Sequence, residues 1–90
     1  MAVYIVTYDL KKPGKDYDEL IKAIKAYGSY CHCQGSVWFI DFSWTAAQIR
    51  DDLKKHIDSN DELFVGRLSS QWASWGTSCG DWLNSPQRNW

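Results

Sequence analysis

Apolar and polar positions along the chain follow two periods, and the switches between them mark the elements. Val3 to Tyr8 reads V-Y-I-V-T-Y, β-branched and aromatic throughout and apolar on both faces, which predicts a strand covered on at least one side. Asp9 and Leu10 end it, and Lys11-Lys12-Pro13-Gly14 is turn chemistry. Helical spacing then begins. Tyr17, Leu20, Ile21, Ile24 and Tyr27 make one apolar stripe, with Lys22 and Lys25 on the wet side. Asp16 is expected to cap this helix, paired with Glu19 in a capping box, and Gly28 to close it in a left-handed conformation. Residues 29–34 and 36–42 read as two strands about a turn at Gly35. In the second strand Val37, Phe39 and Asp41 face one way, and Trp38, Ile40 and Phe42 the other. Thr45 and Gln48 form a capping box ahead of a helix with the stripe Ile49, Leu53 and Ile57, whose Lys54 and Lys55 suit the dipole at its C-terminal end. Residues 62–68 are the fourth strand, with Gly66 marking a bulge or a close approach.

The order β-α-β-β-α-β is the split βαβ arrangement. It predicts an α+β, ferredoxin-like domain over residues 1–68: a four-stranded antiparallel sheet with two helices on one face. The other face would then be left open with aromatic side chains towards it, which implies a partner or a ligand. Residues 69–90 differ in character, being polar and Gly/Ser-bearing yet holding four of the six tryptophans, Trp72, Trp75, Trp82 and Trp90. So many aromatic groups do not suit a solvated tail. This Trp-rich extension is expected to pack on its own sheet or on that of a partner.

Composition narrows the function classes. The formal charge is -1, with ten basic and eleven acidic residues, which excludes the clustered basic field of an unselective binder of long nucleic acid. Three cysteines, an odd number, argue against a secreted disulfide framework. The opening residues lack the basic and apolar regions of a secretory signal, and no apolar run approaches the ~18 residues of a membrane span. These features predict a cytoplasmic protein that does not enter a membrane.

The candidate chemistry starts at Asp9. A carboxylate just past a buried strand can hold Mg²⁺ together with water and phosphate oxygens, because that ion takes only one or two protein carboxylates. The bland alternative is a strand-end aspartate that caps a turn. Cys31-His32-Cys33 places two thiols on one face of a strand and the imidazole on the other, short of the four ligands zinc requires; sheet packing is the expected role. His56, in the last turn of a helix, reads as a dipole partner. The tryptophans, Trp38, Trp72 and Trp75 among them, can stack on bases or seal an apolar surface. Lys11 and Lys12 offer a local phosphate contact or a solvated face.

The strand ending Tyr8-Asp9-Leu10, the helix closing on Tyr27-Gly28, the Ser36-bearing strand after Gly35 and the final Asp61-Glu62-Leu63-Phe64-Val65 strand together resemble the small CRISPR-associated endoribonucleases of the spacer-acquisition complex. They are similar above all to that family's stand-alone relatives, the SinR family and the virulence-associated protein D ribonucleases. The resemblance spans about residues 2–75 and implies a ferredoxin-like homodimer whose C-terminal segments complete the partner's sheet. It further implies a Mg²⁺-dependent phosphodiesterase centre at the two first-strand aspartates, with Asp9 as metal ligand and catalytic residue, Tyr8 flanking it and Ser36 nearby. Lysines after the first strand, in place of arginines, depart from the family pattern.

Two functional expectations follow, and a third stands beside them. One is a metal-dependent endoribonuclease built on paired Asp9 residues. The second is a non-catalytic oligomer that binds or sequesters a nucleotide between aromatic side chains, as phage counter-defence proteins do. The third is a protein-interaction or antitoxin-like module. The residues expected to bind are Tyr8, Lys11, Lys12, Ser36, Trp38, Trp72 and Trp75, and the partners are RNA, DNA or a small nucleotide together with further copies of the chain.

Overall fold

The computed structural model describes residues 2–11, 17–88 and 90. Strand β1 (Ala2–Asp9) is followed by α1 (Asp18–Lys25), β2 (Tyr30–Gln34), β3 (Val37–Phe42), α2 (Ala46–Leu53), a 3₁₀ turn at Lys54–His56, β4 (Glu62–Arg67) and a short α3 (Gly80–Asn84). The strands form one sheet in the order β2-β3-β1-β4, and every neighbouring pair is antiparallel. This is the ferredoxin-like arrangement. β1 lies between β3 and β4, so the most apolar strand takes a central position.

Alternation along β1 divides the sheet's two faces. Tyr4, Val6 and Tyr8 turn to the helices and pack with Leu20, Ile24 and Tyr27 of the first helical segment, Ile49 and Leu53 of α2, and Trp38 and Ile40 of β3. The second capping box forms as the sequence implies: the Gln48 backbone N–H donates to Thr45 Oγ1 at 3.2 Å, and the Thr45 N–H donates to Gln48 Oε1 at 2.9 Å. The first, expected between Asp16 and Glu19, falls partly outside the described residues. Tyr17 holds the N-cap position of α1 without a side-chain cap bond, and Asp16 lies outside the described residues. Gly28 takes φ +92°, where a Cβ is disfavoured. Gly66 sits in regular register opposite Ile5, with the Phe64 ring over the space a Cβ would fill. The bulge lies in β2 instead, between His32 and Gln34.

The second face is not left open, because the chain beyond β4 packs back on its own sheet. Val3 and Phe39 are buried there against Cys79 and Leu83, and Ile5, Cys31, Cys33, Leu68, Trp72 and Trp82 pack around them. The chain beyond β4 supplies this cover, and the Leu68 N–H donates to the Val3 carbonyl at 2.8 Å as it leaves the sheet. Two long-range links fasten the cover. Cys31 and Cys79, 48 residues apart, form a disulfide. The odd cysteine count argues against a secreted disulfide framework but leaves room for one bond, and spacing alone does not show that the fold carries Cys79 back over β2. Near the far end, Arg88 Nη1 donates to Asp41 Oδ2 at 3.1 Å and to Ser29 Oγ at 2.7 Å, with its guanidinium 4.0 Å from the centre of the Trp82 ring.

Candidate functional site

Where β1 ends and β4 begins, the antiparallel register sets Asp9 directly opposite Glu62, and Thr7 opposite Phe64. Like charges placed so are unfavourable unless a cation intervenes. Lys11 supplies it: its Nζ lies 2.7 Å from Asp9 Oδ2 and 3.0 Å from Glu62 Oε1. Its bond to Asp9, then that to Glu62, holds the ammonium above its ordinary pKa range. The backbone at Lys11 is fixed as well. Its N–H donates to Asp61 Oδ1 at 2.8 Å, while Asp61 Oδ2 accepts from the Asp58 N–H at 2.8 Å and the Tyr17 hydroxyl at 3.1 Å. Asp61 thus ties the chain after β1 to the turn before β4. A shallow, solvent-open depression of about 340 Å³ lies along this edge, between Thr7–Asp9 and Glu62–Phe64.

This geometry tests the expected metal. Among the described residues no group of three His, Cys, Asp or Glu side chains is placed to hold an ion. The two carboxylates that do face each other are bridged by an ammonium, which takes the position a divalent cation needs. The residues of one chain therefore do not fit a Mg²⁺ site, and no chemistry is assigned through one.

The other expected site residues separate. Tyr8 and Ser36 stay near Asp9, since the Tyr8 N–H donates to the Ser36 carbonyl at 3.2 Å. The Tyr8 ring belongs to the helix side, however, and its hydroxyl accepts from Trp38 Nε1 at 3.2 Å. Trp38 is 1% exposed and has no face for a ligand, which removes it from the binding set; the face it shares with Ile40 is the core. Lys11 is engaged by two exposed carboxylates, Asp9 and Glu62. Lys12 lies outside the described residues. His32 stacks on Trp38 at 4.0 Å between ring centres, and its Nε2 lies 3.1 Å from the Gly35 carbonyl oxygen, so its role is packing.

Trp72 and Trp75 come together on the second face. They line a groove of about 370 Å³ between the C-terminal cover and the sheet, with Ile5, Val37, Phe39 and Leu83. Trp72 is half-buried, whereas Trp75 is 96% exposed at the rim. Phe64, 62% exposed, stands on the same face of β4. Sequence reasoning missed Glu62, Asp61 and Phe64 as parts of this region. The signal was present for Glu62: in a split βαβ order β1 and β4 are antiparallel neighbours, so the end of one faces the start of the other.

The family model described as CRISPR associated protein Cas2 matches residues 1–74. The chain belongs to that family. The Cas2 match spans the whole sheet, α1 and α2 and ends one residue before Trp75, so the cover's anchors Cys79, Leu83 and Arg88 lie beyond it. No solved structure matches the chain significantly. Among the described residues no helix is long and apolar enough to cross a membrane.

Proposed function

We propose that this Cas2-family protein binds a short single-stranded nucleic acid or a nucleotide on the second face of its sheet, without cutting it. One observation carries the reading: an indole almost wholly exposed, Trp75, stands at the rim of an apolar groove that already contains Trp72. Stacking a base on such a ring contributes roughly 1–3 kcal/mol and tolerates any base. The near-neutral charge suits a short ligand with few phosphates better than a long duplex. A homodimer or higher homo-oligomer belongs to the same reading, since Phe64 and Trp75 leave apolar surface on one face. So does a stand-alone role like that of the SinR-family and virulence-associated protein D relatives, supported by a cover whose anchors lie outside the family match. We place the protein in the cytoplasm. Titration of intrinsic tryptophan fluorescence with single-stranded oligonucleotides and mononucleotides tests the proposal: quenching that saturates in the wild type and weakens in Trp75→Ala supports it, and an unresponsive wild type refutes it.

A second reading, a Mg²⁺-dependent endoribonuclease with Asp9 as its catalytic carboxylate, is favoured by the exposure of Asp9 at the strand end beside a depression. It requires a two-fold partner to bring a second Asp9 and displacement of Lys11 from the pair. Cleavage of RNA or DNA with Mg²⁺ or Mn²⁺, lost in Asp9→Ala, would establish it in place of the first.

A further inference from the structure

All three cysteines converge on the second face. Cys31 and Cys33 lie two residues apart on β2, and both pack in the cluster that Cys79 enters from the C-terminal cover. Cys31 is bonded to Cys79, while Cys33 keeps a free thiol and lines the groove beside Trp72 and Trp75. Burial distinguishes the two bonded cysteines. Cys79 is 0% exposed and Cys31 only half-buried, so an incoming thiolate reaches Cys31 and leaves Cys79 as the departing group. The cover has little structure of its own. Its one helix, α3, has five residues, too few to persist without tertiary support. Leu83, Trp82 and the Arg88–Asp41 pair hold it by contact, and the disulfide cross-links it to β2.

We propose that Cys31–Cys79 is a thiol-exchange site that latches residues 69–90 over the second face, and that a dithiol reductant opens it. A thiolate of the reductant attacks Cys31 Sγ, and the Cys31–Cys79 bond breaks with its electron pair on Cys79 Sγ, which takes up a proton. The reductant's second thiol then displaces Cys31 Sγ, which is protonated in turn. The reductant gives up two electrons and two protons and becomes a disulfide; Cys31 and Cys79 become thiols. A protein dithiol of the disulfide-reductase class supplies this chemistry. Opening uncovers Val3 and Phe39 and takes apart the groove, because one wall of it is the cover itself. What the groove holds rests on the function proposed above; the latch does not.

The test compares the full-length oxidised protein with the same protein reduced by dithiothreitol. Alkylation in denaturant counts the thiols, and amide hydrogen exchange read by mass spectrometry follows the cover. One thiol is expected before reduction and three after. On reduction the amides of residues 69–84 exchange about tenfold faster or more, while those of β1 and β3 keep their protection. Cys33→Ser responds as the wild type does, and Cys79→Ser exchanges fast in this segment with or without reductant. Should Cys79→Ser fail to fold, the wild-type comparison decides alone. Three results overturn the proposal: complete reduction with no change in residues 69–84, loss of protection in β1 and β3 to the same degree as in the cover, or three alkylated thiols in the air-oxidised protein. None of these outcomes depends on nucleotide binding.

Discussion

Two groups of charges stand at opposite ends of the second sheet face, and they differ in almost every physical respect. Asp41 and Arg88 are 5% and 6% exposed, and their bond joins β3 to the last described turn of the chain. Asp9, Lys11 and Glu62 are 65%, 42% and 69% exposed, and they join the neighbouring ends of β1 and β4. A charge removed from water depends on its partner, whereas an exposed one exchanges its partner for solvent at little cost. The buried pair therefore helps the disulfide to set where the C-terminal cover lies, and the exposed triad leaves its end of the sheet adaptable. Structure is concentrated at one end of the face and chemical freedom at the other, with the Trp72–Trp75 groove between the sheet and its cover.

The sharpest way to break this contrast is to remove Arg88. Arg88→Ala leaves Asp41 buried without its counter-charge and should cost about 3–5 kcal/mol in urea unfolding. A loss below about 1 kcal/mol would show that the pair behaves as an exposed one. An intermediate case lies on the helix side, where the Tyr27 hydroxyl donates to Asp52 Oδ2 at 2.7 Å. Tyr27→Phe should cost about 1 kcal/mol at neutral pH. Burial, and then the bond to Asp52, raise the Tyr27 pKa above its ordinary value. Its folded pKa exceeds the unfolded one, so this stabilisation is complete below about pH 10 and is lost as pH rises through the folded value. Thermal melts from neutral to strongly alkaline pH should show the wild type's advantage over Tyr27→Phe shrinking above about pH 10; a constant gap would contradict the assignment. The smallest effect on stability belongs to the exposed triad. Lys11→Ala should lower the melting temperature only slightly, because it leaves Asp9 and Glu62 facing each other in water. Mn²⁺ should then raise the melting temperature of the variant and not of the wild type. A Mn²⁺ response already present in the wild type would show that the ammonium does not hold the cation's place.

The helix side of the domain was legible from pattern alone. Tyr17, Leu20, Ile24 and Tyr27, and Ile49 and Leu53, are the residues their spacing marked, and Thr45–Gln48 makes the cap its sequence announces. The reason is local: helical period and capping depend on residues within a few positions of one another. The second face was not legible in the same way. Cys31 and Cys79 meet across 48 residues, and Arg88 meets Asp41 and Ser29 across 47 and 59. No periodicity encodes such meetings, although four tryptophans in the last stretch did signal that it packs. At the candidate site Asp9 was legible as an exposed strand-end carboxylate, while its pairing with Glu62 through Lys11 required the register. Trp38 was misread as a ligand contact because composition does not say which face an aromatic residue takes, although its alternation with Phe39 does.

The central claim is that the groove beside Trp75 holds nucleic acid. Fluorescence anisotropy of a labelled single-stranded oligonucleotide, titrated with oxidised wild type and with Trp75→Ala, tests it most directly. A lost stacking contact of about 1–3 kcal/mol predicts roughly 5- to 150-fold weaker binding by the variant, with the oligonucleotide recovered intact in Mg²⁺. Equal affinity in the two proteins, or Asp9-dependent cleavage of the oligonucleotide, would contradict it.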